Sequence, residues 1–145
     1  MTTLNEYVRL VQYYETDRMG VAHHANYIHW MEEARIDFMD QLGFPYAEME
    51  RRGVVSPVKA LSCEYRHSCT FGDTIRVAVT VESFNGVVLA IRYKMVKDNG
   101  ETVCEARSEH VFLNREGRFV RMNREMPEFC EAVATLAQSG KGGAE

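Results

Sequence analysis

The chain has 145 residues, with 17 Lys and Arg against 21 Asp and Glu, for a net charge of −4. That length suits one domain able to bury about 70% of its unfolded surface. The acidic balance removes the clustered cations that a nucleic-acid binder needs. Residues 1–17 hold no apolar run of signal-peptide length, and no stretch approaches the roughly 20 residues of a bilayer-spanning helix. A soluble cytoplasmic protein is the expectation. Cys63, Cys69, Cys104 and Cys130 show neither CxxC spacing nor disulfide-rich density, so they are read as reduced structural thiols.

In chain order, residues 4–14 mix β-branched and aromatic side chains in rough alternation and predict a first strand. From Asn26 to Leu42 the period changes. Tyr27, Met31, Ala34, Phe38 and Leu42 recur at three or four, which predicts one long amphipathic helix. Asn26 is its expected N-cap, Gly43 its C′ residue, and Pro45 lies shortly beyond. A helix over 45–52 would follow, closed by Gly53.

Residues 54–68 predict a further strand, with Pro57 at an edge or entry position. Ile75, Val77, Val79 and Val81 then alternate with polar residues, as do Val87, Leu89, Ile91, Tyr93 and Met95. Asn85-Gly86 and Asn99-Gly100 separate these runs and the next, a strong hairpin signal. On the strand over 102–113, Cys104, Ala106, Ser108, His110 and Phe112 share one face, small enough in part for a helix to lie close. A short strand near 119–121 and a closing helix over 127–136 complete the pattern. The reading is one α+β domain over 1–137, an antiparallel sheet of five or six strands wrapped around a central helix, and a disordered tail over 138–145. One helix cannot cover every face and edge of such a sheet, so a homodimer or a homotetramer arranged as a dimer of dimers is expected.

The chemistry concentrates in Tyr14-Glu15-Thr16-Asp17-Arg18-Met19-Gly20-Val21-Ala22-His23-His24-Ala25-Asn26-Tyr27. A carboxylate, Asp17, precedes a glycine-bearing turn and a helix start. Unpaired N–H groups at such a terminus can polarise an acyl oxygen, so the stretch offers a base or nucleophile together with an oxyanion site. Hydrolysis of an acyl compound follows. The five histidines miss the i, i+4 geometry that shares a metal on a helix, and no metal or other cofactor is expected. No GxSxG elbow accompanies the serines.

YYETDRMGVAHHANYIHWMEEAR at 13–35, SPVKALSCEYRHSCTFGDTIRV at 56–77 and the strand order through about residue 122 resemble the hotdog-fold acyl-CoA thioesterases of the 4-hydroxybenzoyl-CoA thioesterase type. The Tol-Pal-associated bacterial branch is most similar. By that resemblance Asp17 matches the catalytic aspartate, as general base for water or as nucleophile forming a mixed anhydride. The backbone N–H of His24 matches the donor to the thioester carbonyl. Gly20, Asn26 and Tyr27 belong to the same motif as candidate substrate contacts. Because the family's acyl group lies near the long helix of one chain and the second strand of the other, Glu32, Pro57, Val58 and Lys59 join them. The hairpin at Phe84-Asn85-Gly86 lacks the basic residues of aromatic-acyl members, so the nucleotide end of CoA is expected to be held differently or loosely. A non-catalytic acyl-thioester binder or scaffold of the same fold is the alternative.

Overall fold

The apolar alternation of residues 74–110 builds the middle of one sheet. In the computed structural model, which describes residues 4–143 and side chains through Leu136, the strands are β1 (Tyr7–Leu10), β2 (Val58–Tyr65), β3 (Thr74–Phe84), β4 (Leu89–Lys97) and β5 (Thr102–His110). They pair antiparallel in the order β1-β3-β4-β5-β2. Val77 faces Met95 across β3 and β4, and Tyr93 faces Ala106 across β4 and β5, so the apolar sets fall on one face. Both Asn-Gly pairs turn the chain as expected. The Asn85 side-chain oxygen accepts the Val87 and Val88 N–H groups at 2.9 and 2.8 Å, which keeps both valines in the turn rather than in β4. At Gly86 φ is +90°, and a Cβ there would meet the Asn123 side chain.

Helix α1 (Ala25–Leu42) lies on that apolar face and buries Tyr27, Trp30, Met31, Ala34, Phe38 and Met39. Gly43 ends it in the left-handed region at φ +96°, its N–H returning to Asp40 and Met39 carbonyls. The short α2 (Tyr46–Arg51) follows. At the far side, α3 (Met122–Glu125) and α4 (Pro127–Gly143) close the domain. Phe129 of α4 packs edge-on against Phe44, Phe84 and Phe112, with centroids 5.2, 5.8 and 5.6 Å away.

Several further expectations change. Asn26 does not cap α1: it lies inside the first turn, where its Nδ2 donates to the Glu15 carbonyl at 2.7 Å, and His24 holds the cap position with helical φ and ψ and no side-chain cap. The first strand stops at Leu10, since the Glu15 carboxylate accepts the Gln12 N–H at 2.8 Å and coils Tyr13–Glu15 into a 3₁₀ turn. Phe119 forms only an isolated bridge to Leu113, which itself bridges Val55. Finally, α4, anchored by the buried Phe129 and Val133, runs to Gly143 rather than ending near Leu136. The remainder of the expected tail, residues 144–145, lies outside the described residues.

β2 pairs only with β5, so its other edge is free of partners among the described residues, in keeping with Pro57 just before it. Most of its residues are exposed.

Ala34 is completely buried where α1 meets the sheet. Ala34→Leu is expected to destabilise the fold by about 1–3 kcal/mol through overpacking, read as a lower urea midpoint at unchanged slope.

Candidate active site

Between β1 and α1 the chain makes a loop whose shape is set by Glu15. Its side chain is only 3% exposed. One carboxylate oxygen accepts the Gln12 N–H at 2.8 Å, and the other accepts Arg9 Nη2 at 2.6 Å and Trp30 Nε1 at 2.9 Å. The Glu15 backbone carbonyl accepts the His23 N–H at 2.8 Å and the Asn26 amide at 2.7 Å. One residue thus ties the strand, the loop and the first turn of the helix together. Burial would raise the Glu15 carboxyl, but the Gln12 N–H, the Trp30 indole and Arg9 outweigh it and hold the group below the usual carboxylate range. Sequence reasoning passed over Glu15. Its one visible signal is an acid placed two residues before Asp17, and the partners that give it meaning lie 6 and 15 residues away.

Within the loop, Thr16 and Ala22 form an antiparallel bridge. Inside it the Asp17 N–H donates to the Val21 carbonyl at 2.9 Å and the Gly20 N–H to the Asp17 carbonyl at 2.9 Å. Gly20 sits at φ +81°, which a side chain would strain, and its own carbonyl accepts the Thr70 hydroxyl at 2.6 Å. Gly20 therefore shapes the turn. Asp17 is half-buried, with Oδ1 accepting the Met19 N–H at 2.8 Å. No cation lies within 4.0 Å of its carboxylate among the described residues, so no ion pair competes for its lone pairs.

The donors at the start of α1 are mostly engaged. Ala25 N–H donates to His23 Nδ1 at 3.1 Å, Asn26 N–H to the His23 carbonyl at 3.0 Å, and Tyr27 N–H to the His24 carbonyl at 3.4 Å. The His24 N–H meets no acceptor among the described residues. It is the free donor at the positive end of an 18-residue helix. The His24 carbonyl is held by the Tyr65 hydroxyl at 3.1 Å, and its ring stacks on His23 at 4.2 Å. Tyr27 is buried and bonded to Cys69 at 3.3 Å, a core position with a strap to the loop before β3.

The other sequence candidates gather further along α1. A groove of about 180 Å³ separates the helix from β2, β4 and β5; Glu32 and Val58 line it from opposite sides, with Arg35, Tyr93, Ser108 and His110 beneath. Pro57 and Lys59 flank it: the Pro57 carbonyl accepts the Val111 N–H at 3.2 Å, and Lys59 pairs with Glu109 at 3.5 Å. Asp17, Gly20, His24, Asn26 and Tyr27 do not line this groove. Within one chain the loop and the groove are separate places.

A family model described as the thioesterase-like superfamily matches residues 11–135, which spans both the loop and the groove. The chain belongs to this superfamily. It has the superfamily's hotdog fold. A Bacillus subtilis protein, YneP, whose name assigns it provisionally to the acyl-CoA thioesterases, is 34% identical over 123 residues, covering 84% of this chain and 89% of its own length. The 1,4-dihydroxy-2-naphthoyl-CoA hydrolase of Thermosynechococcus vestitus is 26% identical over 113 residues, 77% of each chain. Among solved structures, a DHNA-CoA thioesterase from Staphylococcus aureus superposes with a TM-score of 0.90 at 30% identity, over 97% of this chain and 95% of the other. No helix among the described residues is long and apolar enough to cross a membrane.

Glu15→Ala is expected to cost about 3 kcal/mol, because Arg9 loses its buried partner, and to free the Asp17 loop to faster amide exchange. Since the folded Glu15 carboxyl is depressed, its stabilisation is present above the unfolded value near pH 4.3 and is lost as the pH falls through the lower folded value. Urea unfolding between about pH 5 and pH 3 should show that acid slope in the native chain and a shallower one in Glu15→Ala.

Proposed function

We propose that the chain hydrolyses acyl-CoA thioesters to the free acid and CoA, with Asp17 as general base or nucleophile and the His24 N–H as oxyanion donor. The observation that carries this reading is the pairing, on one tied loop, of a carboxylate without a cation and a helix-terminal N–H without an acceptor among the described residues. The names borne by the Bacillus, Thermosynechococcus and Staphylococcus proteins support the thioester as the substrate bond.

As base, Asp17 takes a proton from water while the water oxygen attacks the thioester carbon. The carbonyl electrons move onto oxygen, toward the His24 N–H. Collapse re-forms the carbonyl, breaks the C–S bond and releases CoA thiolate, which recovers the proton held by Asp17. As nucleophile, Asp17 attacks the carbon itself, expels the thiolate and leaves a mixed anhydride that water then opens. The two routes differ in whether oxygen from solvent enters Asp17. Single turnover in ¹⁸O-water labels the Asp17 carboxylate if the anhydride forms and is hydrolysed at Asp17's own carbonyl.

The exposed, unpaired β2 edge supports a homodimer or a homotetramer in which the groove of one protomer faces the loop of another. In that assembly Glu32, Pro57, Val58 and Lys59 contact the acyl group, while Gly20, Asn26 and Tyr27 hold the loop and helix start around it. A cytoplasmic location completes the reading.

Asp17→Asn should fold and assemble normally yet lose about 10²–10⁴-fold in kcat on acyl-CoAs, read as released thiol. The φ of −56° at His24 suits proline, so His24→Pro removes the N–H together with the ring, and it is expected to lower kcat by about 10²–10³-fold, far more than His24→Ala, which removes the ring and keeps the N–H. Binding across an acyl-CoA panel without turnover would instead mark a non-catalytic acyl-thioester binder.

A further inference from the structure

Arg35 is 5% exposed, yet no carboxylate lies within ion-pair distance of it among the described residues. Buried arginines are as a rule paired, because an unpaired buried charge is costly. One guanidinium nitrogen donates to the Tyr46 hydroxyl, which passes the bond on to the Ser56 carbonyl at 3.1 Å, and the guanidinium lies over the Tyr46 ring at 5.0 Å. The other guanidinium nitrogens meet no acceptor among the described residues, and Arg35 lines the groove between α1 and β2.

Beside it a buried relay runs through Tyr93, Ser108 and His110, at 2.7 Å from Tyr93 to Ser108 and 2.6 Å from Ser108 to His110 Nε2. His110 is 1% exposed and its Nδ1 has no partner. Only one direction of the relay leaves a single group unsatisfied: Tyr93 donates to Ser108, Ser108 donates to Nε2, and Nδ1 keeps its proton. The reverse would strand both the Tyr93 hydroxyl proton and a bare Nδ1 lone pair. Burial, then the charge of Arg35, pushes the imidazole down to about 3, so it stays neutral. The floor of the groove therefore carries the positive charge of Arg35 beside a neutral imidazole, with no carboxylate within ion-pair distance among the described residues to match it.

We infer that this groove receives the far end of the acyl group and that the end it selects is a carboxylate, bound by the open guanidinium edge of Arg35. The inference rests on the thioesterase reading for its thioester and goes beyond it in naming the acyl class. The volume of about 180 Å³ suits a short apolar segment, since a cavity of about 150 Å³ already holds benzene. Ile28, Met31, Val58 and Leu61 make its walls apolar, and Glu32 is the one acid that lines it, exposed on its outer side. Arg35 thus acts in specificity, holding the substrate rather than the reacting atoms.

The test compares ω-carboxyacyl-CoAs of graded chain length with their neutral counterparts of equal length. At the best length, native enzyme should favour the carboxylated member by about tenfold or more in kcat/KM, because a donor site rejects an analogue that leaves it unpaired. In Arg35→Met the ratio should fall to about one or below through KM, and Arg35→Lys should restore part of it. Equal or better use of neutral acyl groups by the native enzyme overturns the inference. So does loss of both substrates in proportion in a folded Arg35→Met, which would make the residue purely structural. Titration of the native chain with suberate and with octanoate keeps the question separate from catalysis and from the folding of the variant. Saturable binding of suberate alone supports the groove even if no thioester is cleaved. Equal binding, or none, overturns it.

Discussion

The buried Glu15 carboxylate is the constraint on which the loop depends. It accepts from Gln12, Arg9 and Trp30, while the carbonyl of the same residue accepts from His23 and Asn26. A carboxylate that is almost entirely buried is tolerated only when it is paired and bonded on several sides. Here every partner belongs to a different piece of the loop's surroundings: the first strand, the turn after it and the helix that follows. Satisfying one buried charge therefore fixes where the chain enters α1. The backbone carbonyl of the same residue takes the Asn26 Nδ2 inside the first turn; the first helix donors go to local bonds, and the His24 N–H meets no acceptor among the described residues.

That economy of donors links the fold to the chemistry proposed for it. A helix start surrendered to a conventional cap has no N–H to offer a ligand. In this chain His23 Nδ1 and two backbone carbonyls take the neighbours of His24, and the turn closed by Thr16 and Ala22 holds Asp17 by its own backbone bonds and by Met19. Most of the contacts that hold the loop are made by residues other than the groups proposed to react; the Met19 N–H is the one that reaches the Asp17 carboxylate. Such an arrangement keeps the carboxylate and the free donor available without reorganisation at the moment of reaction.

Much of this was legible in the sequence where the signal is local. Alternation through Ile75–Val81 and Leu89–Met95, the two Asn-Gly turns and the glycine ending α1 all depend on neighbours a few residues apart, and they appear in place. The failures have a common cause. Asn26 has the composition of a cap, and its actual partner is a carbonyl 11 residues earlier. Glu15 looks like one acid among several until Arg9 and Trp30 are brought to it. Arg35 falls among charged residues on a helix whose period marks Ala34 and Phe38 as core, and its burial comes from the sheet and from Tyr46 rather than from its own segment. The groove beneath it exists only because β4 and β5 set Tyr93, Ser108 and His110 side by side.

The most direct measurement is a crystal structure of the assembled protein with a non-hydrolysable acyl-CoA ketone analogue, in which a methylene replaces the thioester sulfur. The account requires the analogue's carbonyl oxygen about 3 Å from the His24 backbone nitrogen, with the Asp17 carboxylate facing the adjacent carbon directly or through one water. An analogue bound in full occupancy with that oxygen turned away from His24, and Asp17 facing only solvent, would contradict it.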